Sequence, residues 1–260
     1  MTVRGRVVIV TGVSRRGGIG AAIARRLAAE GARLFLTGWP PHDSTQPWGE
    51  DPEGGDRVAE ELRRDGARVE HLRADLADPA APQQVVAAAR AAFGRVDALV
   101  ANHARSSRQS LATLTSEELD ASFAVNARAT LLLARHVVAQ HEGSPGGRVV
   151  LFTSGQYHGA MPEELPYIAS KAVLQQLTAS LAVELAPRRI TVNCVDPGPN
   201  DTGYATGDLH RRVELAMPAG RWGRPEDTAR LVAWLLSDES EWVTGQTIAS
   251  DGGWSARGSS

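Results

Sequence analysis

Lysine is nearly missing from this 260-residue chain: of its 28 basic residues, 27 are arginine and one is Lys171. Bias toward arginine explains the 27, since exposed basic positions tolerate either residue. The exception is different, because only a compact ammonium has a readily shifted pKa. Cysteine is nearly missing too. Cys194 stands alone, which excludes an intramolecular disulfide and points to a reducing compartment. No segment approaches the roughly 18 continuous apolar residues of a membrane span. The opening Met1 to Arg6 passes straight into Val7-Val8-Ile9-Val10, too abrupt for a signal peptide, so a cytoplasmic location is the expectation. Charge of one sign is also lacking. A formal net charge of −2 gives no electrostatic reason to expect nucleic acid or an anionic membrane as partner. What remains is ordinary for a globular chain: 42% hydrophobic and 22% charged, with 26 Gly and 14 Pro. A disordered, collagen-like or disulfide-stapled protein is excluded.

The pattern that is present alternates. Short β-branched runs fall at Val7–Thr11, Arg33–Thr37, Val69–Leu72, Val96–Ala101, Arg148–Thr153, Thr191–Val195 and Thr247–Ser250. Between them lie stretches of helical spacing: Ile19–Glu30, Gly55–Asp65, Pro82–Phe93, Ser116–Gln140, Leu165–Ala186 and Pro225–Leu236. Strands apolar on both faces, alternating with helices, predict a parallel sheet covered on both sides, doubly wound and Rossmann-like. Gly31, Gly66 and Gly94 close the first three helices, and Thr115 with Glu118 forms a capping box for the long central one. The irregular stretch Trp39 to Gly55 reads as a surface loop. Because the alternation resumes beyond it, one domain over residues 1–260 is expected.

The first strand ends in Thr11-Gly12-Val13-Ser14-Arg15-Arg16-Gly17-Gly18-Ile19-Gly20, where a helix opens. Such a turn lets the backbone approach a pyrophosphate, which the helix N-terminus stabilises. The second strand ends Leu36-Thr37-Gly38-Trp39, without the carboxylate that would hold a ribose 2′-hydroxyl. Arg15 and Arg16 are placed to pair with a 2′-phosphate, so NADP(H) is favoured over NAD(H). Asp75 and Leu76, after the third strand, are candidates for the adenine edge. An ordinary turn aspartate is the competing reading.

Lys171 lies four residues after Tyr167 in a helical stretch, so phenol and ammonium share one face. A phenol with pKa near 10 is a poor acid or base at neutral pH, and a fixed cation beside it is expected to lower that value. The pair can then protonate a carbonyl oxygen during hydride transfer, or deprotonate an alcohol in reverse. Ser154, at the end of the fifth strand, is placed to hydrogen-bond the same oxygen.

These motifs resemble the short-chain dehydrogenase/reductase family over nearly the whole chain. Tyr167-Ile168-Ala169-Ser170-Lys171 matches its Tyr-x-x-x-Lys, Ser154 its catalytic serine, and Asn126 in Phe123-Ala124-Val125-Asn126 its catalytic asparagine. The resemblance implies that Asn126 holds a water linking the lysine to a proton relay. It also implies that Pro197, Gly198 and Thr202 line the nicotinamide side of the cofactor and that Asn102 lies near its ribose. Gly223–Asp227 and Thr244–Gly253 match the family's C-terminal half. Four features depart from the pattern: a glycine loop two residues longer than usual, His103 after Asn102, Asn200 at a usually apolar position, and the length of the 39–55 loop. His103 is read as a hydrogen-bonded structural histidine.

Gln156, Tyr157, His158 and Tyr204 are expected to shape the substrate pocket, with Met161 beside them and a mobile lid over residues 203–222. Tyr157 lacks a supporting lysine and is read as pocket wall. A partly apolar small-molecule or acyl-thioester carbonyl follows as substrate. Reduction of a 3-oxoacyl group on an acyl carrier protein is the leading named activity, with Arg188-Arg189 and Arg211-Arg212 as contacts for the carrier. A sugar, steroid or polyketide-type alcohol dehydrogenase is the enzymatic rival, and a redox-silent nucleotide sensor the rival of another class. No metal site is expected. The resemblance further implies a homotetramer, or a dimer, built through Ser116–Gln140, Leu165–Ala186 and the C-terminal strand.

Overall fold

Seven β-branched segments pair side by side as parallel strands: β1 (Val7–Thr11), β2 (Arg33–Gly38), β3 (Val69–Arg73), β4 (Ala98–Ala101), β5 (Gly147–Phe152), β6 (Ile190–Asp196) and β7 (Thr247–Ala249). Their spatial order is β3-β2-β1-β4-β5-β6-β7. A computed structural model describes residues 3–142 and 146–257 of the chain. Nine α-helices are seen among them: α1 (Ile19–Ala29), α2 (Pro40–Asp43), α3 (Gly54–Arg64), α4 (Ala81–Phe93), α5 (Ser116–Ser122), α6 (Thr130–Ala139), α7 (Leu165–Leu185), α8 (Gly207–Ala216) and α9 (Pro225–Leu236).

The strands carry apolar side chains on both faces because both faces are covered. Val8, Val10, Leu34, Leu36 and Val150 pack against α1, α3 and α9. Ile9, Leu99, Leu151 and Val192 pack against α4, α6 and α7 on the other side. From β1 the chain runs outward through β2 to β3, then returns across the sheet to β4. Strand order therefore reverses between β1 and β4, which opens a crevice at their C-terminal ends. The glycine turn, Ser154 and the Pro197–Gly198 segment all lie along that edge.

The structure differs from or adds to the sequence expectation in five places. The helix expected over Ser116–Gln140 is interrupted by a π-helical segment, Phe123–Ala129, between α5 and α6. β4 begins later than Val96, whose N–H and carbonyl are both bound by the Gln140 side chain (3.3 and 2.8 Å). The 39–55 stretch holds α2 and buries Asp43, and residues 203–222 hold α8. The capping box is half formed. Thr115 accepts from the Glu118 N–H at 3.3 Å, but Arg105 takes the Glu118 carboxylate in a two-pronged ion pair at 2.9 Å. No helix among the described residues is long and apolar enough to cross a membrane.

Candidate active site

The glycine turn is built by close approach. Gly12 has φ +74°, and a Cβ there would stand 2.7 Å from Asn102 Nδ2. That amide donates to the carbonyls of Thr11 (3.1 Å) and Gly12 (3.2 Å), tying the end of β1 to the end of β4. A Cβ at Gly20 would lie 2.4 Å from the Gly12 carbonyl oxygen. Helix α1 then opens from Gly18 with no side-chain cap and no acidic residue in its first turn. Ile19, its first residue, packs on the core. Unopposed first-turn N–H groups and a positive dipole end, facing a strand-edge crevice, fit the pyrophosphate of a dinucleotide.

Both arginines of this turn have acidic partners. Arg15 donates to the Thr202 carbonyl at 2.7 Å, lies 3.4 Å from Asp43 and sits over the Trp48 ring at 5.0 Å. Burial lowers its pKa against the pull of Asp43 and Asp51. Arg16, fully on the surface, pairs with Asp51 at 2.8 Å, which holds that carboxyl below its ordinary range. The 39–55 stretch is therefore a strap across the turn rather than a free loop. Gly54 packs so closely that a Cβ would meet the Ser14 carbonyl oxygen at 2.3 Å. Farther along, His42 accepts the Ser106 N–H at 3.2 Å. Asp43, in that strap, is buried and also accepts the Trp48 Nε1–H at 2.8 Å. Asp75 accepts the Ala77 N–H at 2.9 Å, capping its own turn, and Leu76 is buried beneath it.

The chemical end forms where α7 faces the end of β5. Lys171, though ionisable, is buried, and its Nζ donates to the Phe152 carbonyl at 3.1 Å. Burial lowers its pKa to about 8, with Cys194 pulling upward. Cys194 itself is pushed up to about 12 by burial. One turn earlier, burial raises the Tyr167 phenol to about 12, while the hydrogen-bonded Ser154 hydroxyl pulls it down. This corrects the expectation that Lys171 lowers the phenol: the ammonium is directed at Phe152, and desolvation dominates. Asn126 lies in the π-helical segment, where such distortions often serve a function. Its side chain is fully engaged, accepting from the Arg105 N–H (2.7 Å) and donating to the Arg105 carbonyl (3.0 Å) and Ser170 Oγ (2.9 Å). Ser170 in turn donates to the Tyr167 carbonyl at 2.8 Å. Asn126 thereby ties the segment after β4 to α7.

His103 is the hydrogen-bonded structural residue expected. Its Nε2–H donates to the Val125 carbonyl at 3.0 Å, and Thr11 Oγ1 donates to its Nδ1 at 2.7 Å. Burial, with Lys171 nearby, lowers its pKa to about 3.

The pocket residues divide. Gln156 turns inward, contrary to expectation. Its Oε1 accepts the Ser154 N–H at 3.1 Å and its Nε2 donates to Thr153 Oγ1 at 2.8 Å, so it positions Ser154. Tyr157 and His158 lie against each other with ring centroids 3.7 Å apart. Tyr204 meets Trp222 edge-on at 5.6 Å, and His210 stacks on Trp222 at 4.9 Å, which anchors the 203–222 segment. Pro197 and Gly198 follow β6, where Asn200 Nδ2 donates to the Pro197 carbonyl at 2.6 Å, accounting for a polar residue at that position. Sequence reasoning missed Asp196, Glu164, Asp43 and Asp51. Asp196 had one signal, a carboxylate at the end of a buried strand.

Comparison with known proteins gives a consistent picture. The family model described as "Enoyl-(Acyl carrier protein) reductase" matches residues 12–255. The uncharacterized oxidoreductase YjdA of Bacillus subtilis (strain 168) is 38% identical over 250 residues, covering 95% of this chain and 96% of its own. A short-chain dehydrogenase/reductase from Serratia marcescens superposes with a TM-score of 0.87 at 32% identity, covering 98% of this chain and 100% of its own. A blue fluorescent protein from a metagenomic library, solved in complex with NADPH, gives 0.85 at 34% identity, with 98% and 99% covered.

Proposed function

Since the chain belongs to the short-chain dehydrogenase/reductase family and is an NAD(P)-dependent oxidoreductase, we propose that it interconverts a carbonyl and a secondary alcohol with Tyr167 as acid and base. The observation that carries this is the meeting of Tyr167 and Lys171, one turn apart on α7, with the end of β5 at Ser154 and Phe152. A nicotinamide dinucleotide, when bound, supplies or takes up the hydride. Gly12, Ser14, Gly18, Ile19 and Gly20 hold its pyrophosphate, Asn102 keeps that turn in register, and Asp75 and Leu76 flank its adenine. Pro197, Gly198 and Thr202 line the nicotinamide side.

The Tyr167 hydroxyl gives its proton to the carbonyl oxygen in reduction and takes it back in oxidation. Ser154 donates a hydrogen bond to the same oxygen, and Gln156 holds the Ser154 backbone in place. Burial keeps the phenol protonated at neutral pH but makes it a weaker acid, so its proton transfer depends on the charge that Lys171 brings to the loaded site. Lys171 binds ribose hydroxyls and carries a charge that tunes the phenol in the loaded site. Asn126 keeps α7 and the segment after β4 at a fixed separation.

NADP(H) is the proposed cofactor. The two guanidinium groups of the glycine turn support it, with Asp43 and Asp51 as the carboxylates a 2′-phosphate exchanges with. The complex of the metagenomic relative with NADPH points the same way. For an acyl-carrier substrate the docking charge is thin. Arg188 is committed to the Val138 and His141 carbonyls (2.7 and 2.9 Å), which leaves Arg189 and, on α8, Arg211 and Arg212 exposed. A small-molecule carbonyl is therefore the better reading. We place the protein in the cytoplasm, as a homotetramer through α5, α6, α7 and β7. The test is NADPH or NADH consumption against a panel of carbonyls. Tyr167→Phe should lower turnover about 10²- to 10⁴-fold, with cofactor binding retained. Unchanged turnover would overturn the mechanism.

A further inference from the structure

The stretch 39–55 leaves the end of β2 and makes a bridge over the neighbouring strand before it returns to α3. β1 lies between β2 and β4 in the sheet, so the ends of β2 and β4 are two strand spacings apart, about 10 Å. His42, just beyond β2, nonetheless accepts at Nε2 the N–H of Ser106, just beyond β4, at 3.2 Å. The segments leaving these two strands therefore meet across the carboxyl end of β1, where the glycine turn begins. Asp43, the next residue, lies 3.4 Å from Arg15 of the turn itself. A dinucleotide whose pyrophosphate sits at the N-terminus of α1 carries its adenosine ribose toward the end of β2. The bridge starts from that same strand end.

The two limbs of the stretch are held differently. The returning limb is pinned. Asp51 accepts both the Nε–H and the backbone N–H of Arg16 (2.8 and 3.2 Å), Arg73 at the end of β3 donates to the Pro52 carbonyl (2.7 Å), and Gly54 is pressed against the Ser14 carbonyl. The leading limb, α2, is fastened across the crevice by the His42–Ser106 hydrogen bond and the longer Arg15–Asp43 contact. Burial, with Arg105 beside it, lowers the His42 pKa, which keeps the ring neutral and Nε2 free to accept. The ring proton then sits on Nδ1, and that nitrogen is buried without a hydrogen-bond partner among the described residues. Unfastening returns the Nδ1–H to water and so offsets part of the bond that is lost. The leading limb is the part that opens.

We propose that residues 39–55 form a clasp over the adenosine half of the cofactor, fastened by His42 to Ser106, and that cofactor entry and release both wait on its unfastening. This rests on the dinucleotide site proposed above and adds a moving part to it. A clasp that closes alike over the empty and the loaded site acts on rates rather than on affinity. Loosening it speeds binding and release by the same factor, because both pass through the same opening.

The experiment is stopped-flow mixing with NADPH, and separately with NADH, followed by the fluorescence of the reduced nicotinamide. Release is measured by displacement with excess oxidised cofactor. His42→Phe keeps a ring of similar size and loses the acceptor. Its kon and koff should both rise about three- to tenfold, the worth of one hydrogen bond, with Kd changed by less than about twofold. His42→Ala, which removes the ring as well, should give the same result. His42→Gln, whose amide oxygen accepts the Ser106 N–H, should return both rates to near the wild-type values. Unchanged rates, a rise in koff alone, or a Gln variant that behaves like the Phe variant overturns the clasp and leaves the cofactor site standing. If neither NADPH nor NADH binds the wild type, the cofactor site falls and the clasp with it.

Discussion

His103 makes the stability of this protein acid-sensitive in a calculable way. It is 7% exposed, and both ring nitrogens are committed, Nε2 to Val125 and Nδ1 to Thr11. Burial of the ring, which disfavours its charged form, and the nearby Lys171 cation lower the pKa from 6.5 to about 3, against the Val125 hydrogen bond. The folded pKa lies below the unfolded one, so the unfolded chain takes up the proton first. Stability from His103 is therefore complete above about pH 6.5 and is lost progressively as pH falls toward 3. Each pH unit in that window removes about 1.4 kcal/mol, so by pH 5 the loss reaches about 2 kcal/mol. In a domain of this size that is a fall in Tm of about 4–8 °C. The assay is denaturant or thermal unfolding of the wild type and His103→Gln across pH 5–7. The variant starts lower at pH 7, having lost buried hydrogen bonds, but it has no ionisable group there, so its stability declines less steeply. His42 and His71, also lowered by burial, are present in both proteins and cancel. Parallel curves would refute the reasoning.

Three further outcomes are expected. Lys171→Arg should lower kcat/KM at least about 100-fold, because a guanidinium is larger, remains charged in this buried site and cannot reproduce the ammonium contact with Phe152; full activity would overturn the role given to Lys171. Asn102→Ala removes both hydrogen bonds that fix the glycine turn. At roughly 1 kcal/mol each, cofactor Kd measured by fluorescence titration should rise at least about tenfold, while kcat at saturating cofactor changes little. Arg15→Ala and Arg16→Ala should each weaken NADPH binding more than NADH binding, and equal losses would remove the case for NADP(H).

The sheet was readable because each strand is a short β-branched run and each helix a longer period of 3.6, with glycines closing the first helices. Those signals are local. Tyr167, Lys171 and Ser154 were readable for a similar reason: the helical period puts the first two on one face, and strand polarity puts the third at the ligand edge. What sequence did not show depends on contacts between distant segments. Nothing local to Gln156 says that it turns inward to hold Ser154, and nothing local to Asp43 says that it returns to Arg15. The direction of the Tyr167 shift was misread because the nearby cation is evident in sequence whereas desolvation is a property of the packed core. The π-helical segment at Asn126 was invisible for the same reason. Its side chain is engaged by Arg105, twenty-one residues earlier, and by Ser170, forty-four later.

The scarcity of lysine has a practical consequence for handling the protein. Reagents that attach to side-chain amines, whether biotin esters, fluorescent esters, aldehyde fixatives or reductive methylation, find a single target, Lys171. That target is buried beneath the reacting centre. Labelling there tracks access to the active site rather than the surface. The stoichiometry of amine modification, with the chain terminus counted separately, becomes a direct gauge of how often the site opens. Attachment chemistry for immobilisation should be aimed at other groups.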